Sequence, residues 1–130
     1  MSHFIAGIQI LRPLNMILCL FAVFIAGWLV DGITSSLLPY TALVVFCFAG
    51  ASNILNDVLD IHIDEVNRPD RVLPSGQLRI QDALILMVFI YVIGLTACAP
   101  LQTLGRQIAL ITVFPLLVLY TPLFKRFPFI

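Results

Sequence analysis

The chain has 130 residues, of which 61% are hydrophobic and 11% are charged, and its formal net charge is zero. Soluble domains contain about 45–50% apolar and about 25% charged residues, so this composition, with a mean hydropathy of +1.07, excludes a water-soluble globule. The neutral charge, without a concentrated basic patch, argues against a nucleic-acid partner.

Long uncharged apolar blocks follow one another along the chain. A bilayer span needs roughly 20 predominantly apolar residues, and backbone groups in hydrocarbon must be paired within their own segment. We therefore predict an all-α fold, a polytopic membrane helical bundle of about four transmembrane helices, in a single domain over residues 1–130. The blocks are residues 14–30, 37–56, 83–105 and 107–124.

Basic residues are distributed unequally between the segments that join these blocks. Arg106 lies on one side of the predicted membrane, and the other basic residues lie on the opposite side. Because cytoplasmic loops are enriched in Lys and Arg, we predict a multi-pass protein of the cell membrane with both termini in the cytoplasm. The residues of the predicted cytoplasmic side are Arg12, Arg68, Arg71, Arg79, Lys125 and Arg126.

The second apolar block runs without interruption into a polar stretch. Residues 51–67 contain neither Gly nor Pro, so we predict one helix that passes the membrane boundary and continues through Asp64. Pro69 and Pro74 then end the helix in a cytoplasmic loop. The third helix is predicted to begin near Asp82, whose charge suits a first turn, and Pro115 is predicted to kink the fourth.

Oxygen-bearing side chains share one face of the second predicted helix. With about 100° of rotation per residue, five of them fall within about 100° of one another. Such a stripe repels itself, because like charges at i,i+4 destabilise a helix, and a bound cation removes the conflict. Oxygen ligands without cysteine favour a hard ion such as Mg²⁺. The five residues are Asn53, Asn56, Asp57, Asp60 and Asp64.

Basic residues follow this stripe closely. Arg68 and Arg71 come within two turns of it, and Lys125 returns at the end of the fourth predicted helix. A phosphate group would then contact metal on one side and guanidinium or ammonium on the other. Two alternatives remain: a solvated loop with surface ion pairs, and a small cation transporter, which would place its acidic residues at mid-span.

Residues 56–76 resemble the first aspartate-rich motif of the UbiA-type prenyltransferases. They read NDVLDIHIDEVNRPDRVLPSG, against a family pattern of NDxxDxxxDxxNRPxRPLPSG, and Val72 replaces a proline. Residues 12–15 (RPLN) and 120–126 (YTPLFKR) are also similar to stretches of the family. The N-terminal pattern is closest to the branch that resembles geranylgeranylglycerol-phosphate geranylgeranyltransferase.

This resemblance implies an Mg²⁺-dependent membrane prenyltransferase. The prenyl group, geranylgeranyl in this branch, would pass from a polyprenyl diphosphate to a hydrophobic, phospholipid-like or aromatic acceptor. Carried over by position, the metal ligands are Asn56, Asp60 and Asp64, the catalytic residues are Asp57, Asp60 and Asp64, and the diphosphate-binding residues are Asn15, Arg68, Arg71 and Lys125.

The resemblance covers nearly all of this chain but only the N-terminal half of the family. Family members have roughly twice this length, about nine helices and a second aspartate-rich motif, and no such second cluster occurs in the 130 residues. We therefore expect a truncated enzyme or one part of a split enzyme that needs a complementary C-terminal half. The alternative is a non-catalytic remnant or a membrane interaction protein.

Overall fold

The structure, a computed structural model, describes residues 3–31 and 35–119. Within these ranges the regular elements are all helical, which confirms the predicted all-α class. In chain order they are α1 (His3–Ile10), α2 (Pro13–Asp31), α3 (Leu38–Leu59), α4 (Ile61–Asn67), α5 (Ile80–Ala97), α6 (Thr103–Gln107), a π-helical segment (Ile108–Val113) and α7 (Phe114–Leu119).

Three helices in the described part of the chain are long and apolar enough to cross a membrane, namely α2, α3 and α5. A shorter apolar stretch, Thr103–Leu119, follows them. It covers the described part of the fourth predicted span, whose remainder, residues 120–124, lies outside the described residues. The predicted polytopic helical bundle is therefore confirmed, and the chain is a multi-pass membrane protein.

Close packing of α3 against α5 forms the core of the bundle. Gly94 permits it, because a Cβ atom there would lie only 2.7 Å from Cε1 of Phe48. The ring of Phe114 packs on those of Phe48 and Tyr91, with centroids 5.4 Å and 5.2 Å apart. Ser52, one of the small residues of α3, hydrogen-bonds the Tyr91 hydroxyl at 3.0 Å. Small residues thus bring membrane helices together here, as they do generally.

A break at Asp60 separates α3 from α4, so the prediction of one continuous helix through Asp64 was wrong. Asp60 has φ −94° and ψ 4°, in the sparsely populated bridge region. Its N–H still donates to the Asn56 carbonyl at 2.9 Å, and the Asp64 N–H donates to the Asp60 carbonyl at 2.8 Å. Because these two bonds span the break, α4 keeps nearly the helical phase of α3.

The backbone of the fourth apolar stretch is irregular immediately before Pro115. Residues Ile108–Val113 are π-helical, and the Phe114 N–H donates to the Ala109 carbonyl, one residue further back than in an α-helix. Like proline, π-helical turns bend helices. The irregular backbone therefore lies beside the residue at which a kink was predicted.

Candidate functional site

The junction between α1 and α2 is held by two side chains of α3. Arg12, in this junction, has a left-handed backbone with φ 57°, which is uncommon for a residue with a side chain. Its Nη2 donates to Oδ1 of Asp57. Asn53, one turn earlier on α3, donates from Nδ2 to the Leu11 carbonyl at 3.0 Å. The N-terminal segment is therefore tied to the helix that carries the acidic residues.

Arg71 lies between two carboxylates of the acidic stripe. Its Nη1 is 3.1 Å from Oδ1 of Asp57 and 2.6 Å from Oδ2 of Asp64. Both carboxylate side chains are almost buried, with 11% and 9% of their surface exposed. Side chains about two helical turns apart face the same way, and the phase kept across Asp60 lets one guanidinium reach both.

The loop that follows α4 fixes the position of Arg71. Leu73 and Leu78 are buried in the hydrophobic core on either side of the turn. The Ser75 hydroxyl donates to the Arg71 carbonyl at 2.6 Å, and Gly76 adopts a left-handed backbone with φ 71°. The loop is thus a packed element that presents a guanidinium to the end of α3.

Asn56 stands out from its neighbours because its side-chain oxygen, Oδ1, is buried and has no hydrogen-bond partner among the described residues. Buried acceptors are rarely left unsatisfied in folded proteins. Its backbone carbonyl accepts the bond from Asp60, which forms the turn between the two helices. An oxygen without a partner beside a carboxylate-bearing turn is the local feature that most favours a ligand.

The donor atoms at this end of the bundle fit a hard cation that is completed by other ligands. Within residues 3–31 and 35–119, no three His, Cys, Asp or Glu side chains cluster as an all-protein metal site. Mg²⁺ seldom uses such a cage; it keeps waters and binds through one or two carboxylates and substrate phosphates. The unpartnered oxygen of Asn56, one residue before Asp57 in the sequence and one helical turn before Asp60, fits that requirement.

The remaining predicted site residues are exposed or lie beyond the described residues. Asn15, in the first turn of α2, and Arg68, at the C-terminal end of α4, are both exposed. Lys125 and the rest of residues 120–126 lie outside the described residues. Arg12 was not among the predicted site residues. The available signal was its place in the RPLN stretch, next to a proline that begins a helix.

Two exposed side-chain pairs lie apart from the ion-pair network, which consists of Arg12, Arg71, Asp57 and Asp64. Arg79 Nε donates to Asp82 at 2.9 Å in the first turn of α5, and this hydrogen bond and the charge of Asp82 raise the pKa of Arg79 above its ordinary value. His62 and Glu65 pair at 3.5 Å with largely exposed side chains. These residues serve as solvated helix-surface pairs.

An apolar cavity of about 420 Å³ lies between the first half of α3 and the α6–α7 stretch. At about 1.5 Å per residue, Ala49 in its wall lies about 12 Å along α3 from Asp57. Its lining is mostly apolar, which suits a hydrocarbon chain better than a charged group. Lining residues include Thr41, Val45, Phe48, Ala49, Gly105 and Ile108.

Comparisons with known proteins point to one family. The UbiA prenyltransferase family model matches residues 15–130. The chain is 35% identical to digeranylgeranylglyceryl phosphate synthase of Methanococcoides burtonii, over 94% of this chain and 47% of that protein. It is 30% identical to the synthase of the same name from Methanothrix thermoacetophila, over 93% of this chain and 46% of that protein.

A solved structure is also similar. It comes from work on digeranylgeranylglyceryl phosphate synthase in membranes and matches 98% of this chain and 46% of that chain, with a TM-score of 0.89 and 25% sequence identity. The chain thus spans about half the length of the curated relatives that it matches. These matches confirm the resemblance, and its branch, inferred from residues 56–76.

Proposed function

Because the chain belongs to the UbiA prenyltransferase family, we propose that it forms the N-terminal half of a membrane site for prenyl transfer. The observation that carries the proposal is the buried, unpartnered Oδ1 of Asn56. It lies on α3 beside Asp57, and Asp64 follows on α4, within a sequence stretch that follows the family pattern. A half-buried acidic segment with an unsatisfied oxygen suits a metal-diphosphate ligand better than it suits a solvated loop.

The proposed reaction is transfer of a geranylgeranyl group from its diphosphate to a glyceryl phosphate lipid. The name of the relatives denotes a glyceryl phosphate with two geranylgeranyl groups. The acceptor would therefore be a glyceryl phosphate that already carries one such group. A bond would form between its hydroxyl oxygen and the allylic carbon as the C–O bond to diphosphate breaks, and inorganic diphosphate and the hydroxyl proton would leave.

The residues of the network would stabilise the departing diphosphate. Negative charge develops on this group as the allylic C–O bond breaks, and donors that are already in place stabilise such charge most effectively. Arg71 is held in place by two carboxylates and a packed loop, and we propose that it binds the diphosphate together with Asn15, Arg68 and Lys125. Asp60 and Asp64 are the proposed catalytic carboxylates; for Asp57, the third one predicted, the contacts with Arg12 and Arg71 favour the role of a counter-ion.

Mg²⁺ is the proposed cofactor, with Asn56, Asp60 and Asp64 as its ligands. When bound, it would add positive charge at the diphosphate oxygens. The apolar surfaces of the bundle, including the cavity beside α3, would hold the prenyl chain and keep water from the reactive carbon.

The complete site would need further residues. The relatives are about twice as long as this chain, and we propose that a C-terminal half supplies the second group of metal ligands, within a longer protein or as a separate chain. We also propose that both ends of this chain face the cytoplasm, as the distribution of its basic residues favours.

A chimera tests the proposal directly. This chain would replace the matching half of the Methanococcoides burtonii relative, in lipid nanodiscs, with geranylgeranyl diphosphate and geranylgeranylglyceryl phosphate as substrates. Asp60→Ala and Asp64→Ala should each lower Mg²⁺-dependent turnover by about 10²-fold or more, the scale on which a lost electrostatic contact to the transition state acts. Asp82→Asn, at an exposed ion pair, is the matched control. Unchanged turnover in the Asp60 and Asp64 variants would overturn the proposal.

A further inference from the structure

We propose that Arg12 is a positioning residue, whose ion pair with Asp57 locks the α1–α2 junction onto α3. In this arrangement Asp57 is the counter-ion of Arg12 and Arg71 and is not a ligand of metal or diphosphate. The catalytic consequence of this inference rests on the proposed function. The contact between Arg12 and Asp57 does not, because it lies within this chain.

Three residues on one face of α3 form the seam that receives the junction. A Cβ atom on Gly50 would lie 3.1 Å from Cδ2 of Leu11, so the absence of a side chain lets Leu11 approach. Asn53 binds the Leu11 carbonyl at 3.0 Å, and Asp57 binds the Arg12 guanidinium. Spacings of three and seven residues place all three positions on the same face of the helix.

The backbone of Arg12 indicates that this seam holds the junction under constraint. Left-handed φ values are unfavourable for residues with a Cβ atom and persist only where the surroundings over-determine them. Here α1 ends at Ile10 and α2 begins at Pro13, so the chain turns within two residues. The Asp57 carboxylate and the Asn53 amide are the contacts that compensate for the strained turn.

Locking the junction also fixes α1. Ala6 and Ile10 of α1 are buried in the core cluster, and α1 contacts α3. Asn15 and the start of α2 follow directly after the junction. Release of Arg12 would therefore move one wall of the proposed diphosphate site without removing any of its ligand atoms.

These contacts give the residues of the acidic stripe different roles. Oδ1 of Asp57 already accepts hydrogen bonds from both Arg12 and Arg71. A metal ion on that oxygen would have to displace two guanidinium groups, whereas Oδ2 of Asp64 accepts from Arg71 alone among the described residues. Oδ1 of Asn56 has no partner among the described residues and can accept a ligand without such displacement.

Hydrogen exchange of this chain in nanodiscs tests the lock independently of any activity. The Leu11 and Arg12 amides donate to the Ile8 and Gln9 carbonyls, so a peptide over residues 5–16 reports on the junction. Arg12→Gln and Asp57→Asn should each raise its exchange rate by about tenfold, as expected for local opening, whereas Asp82→Asn should not. In the double variant the two effects on this peptide should add less than fully, since both substitutions break the Arg12–Asp57 pair. Unchanged exchange in Arg12→Gln would overturn the inference.

Kinetic measurements on the chimera distinguish residues that hold the α1–α2 junction from residues that bind the metal ion. Arg12→Gln leaves every carboxylate in place, so it should raise KM for the prenyl diphosphate through the position of the junction, and Arg12→Lys should restore part of the loss. Asp57→Asn, which also weakens the contact with Arg71, should raise KM at least as much. Neither Arg12→Gln nor Asp57→Asn should change the Mg²⁺ concentration that gives half-maximal rate, whereas Asp64→Asn should raise it. A raised Mg²⁺ requirement in Asp57→Asn alone would make Asp57 a ligand and overturn the inference. An inactive chimera would count against the proposed function. The exchange rates would still show whether the Arg12–Asp57 ion pair holds the α1–α2 junction on α3.

Discussion

Asp57 and Asp64 accept hydrogen bonds from the same nitrogen, Nη1 of Arg71, at 3.1 Å and 2.6 Å. They belong to two helices separated by the break at Asp60. Two carboxylates that lie within hydrogen-bond distance of one nitrogen repel each other, and the guanidinium of Arg71 offsets this repulsion by attracting both. The sequence predicted that a bound cation relieves the repulsion within the stripe; Arg71 and Arg12 provide such relief from within the chain.

Replacing Arg71 by Ala should destabilise the protein. Because the two carboxylates would lose their shared cation, we expect the free energy of unfolding to fall by about 3 kcal/mol, the lower end of the range for a broken buried ion pair. Thermal or denaturant unfolding in detergent micelles measures it. Added Mg²⁺ should stabilise Arg71→Ala more than the wild type, since the vacated carboxylates can then bind the ion.

Arg71→Lys is the matched control for that variant. It keeps the charge but lacks the planar fork of donors, so we expect a smaller loss of stability than in Arg71→Ala. Equal unfolding free energies for the wild type and Arg71→Ala would contradict the role of Arg71 as the shared cation.

Asn56→Leu should separate stability from ligand binding. The substitution removes a buried oxygen that has no partner among the described residues, so the free energy of unfolding should stay within about 1 kcal/mol of the wild type or rise. Mg²⁺-dependent binding of a prenyl diphosphate to the same preparation should weaken by about tenfold or more, the equivalent of roughly 1.4 kcal/mol. A large loss of stability with unchanged binding would show that Asn56 is a packing residue.

Gly94→Ala should loosen the contact between α3 and α5. The added methyl would lie 2.7 Å from Cε1 of Phe48 and 2.9 Å from Cβ of Cys47, so we expect a loss of about 1–3 kcal/mol in unfolding free energy from overpacking. Gly105→Ala is the control, because a Cβ there meets no atom within 4 Å. Equal stability of the two variants would mean that α3 and α5 do not approach each other as closely as the Gly94–Phe48 contact requires.

Gly76→Ala tests the turn that carries Arg71. A Cβ at this position meets nothing within 4 Å, but the backbone has φ +71°, so the cost is conformational and should be about 1 kcal/mol. Gly76→Asn should cost less, since Asn tolerates the left-handed region better than other residues. If both substitutions were neutral in thermal unfolding, the turn would have to adopt another conformation.

Several parts of the fold and site could be predicted because they depend on local periodicity. Apolar length and composition predicted the spans that the structure shows as α2, α3 and α5. Helical phase predicted that Asp57 and Asp64 face the same way. The break at Asp60 could not be predicted, because it involves one bridge-region residue with neither Gly nor Pro nearby. The role of Lys125 and the identity of the acceptor stay predictions.

Apolar length, helical phase and the 56–76 stretch were enough, by themselves, to determine a membrane helical bundle of a recognisable family, with an acidic face at one end of its second span. Only the tertiary structure decided which of those acids are already paired. Arg12 and Asp57 are far apart in the chain, and their contact depends on how α1 turns into α2 against Gly50 and Asn53. Periodicity orders the side chains around one helix, but the partners come from other segments, which only packing brings within hydrogen-bond distance.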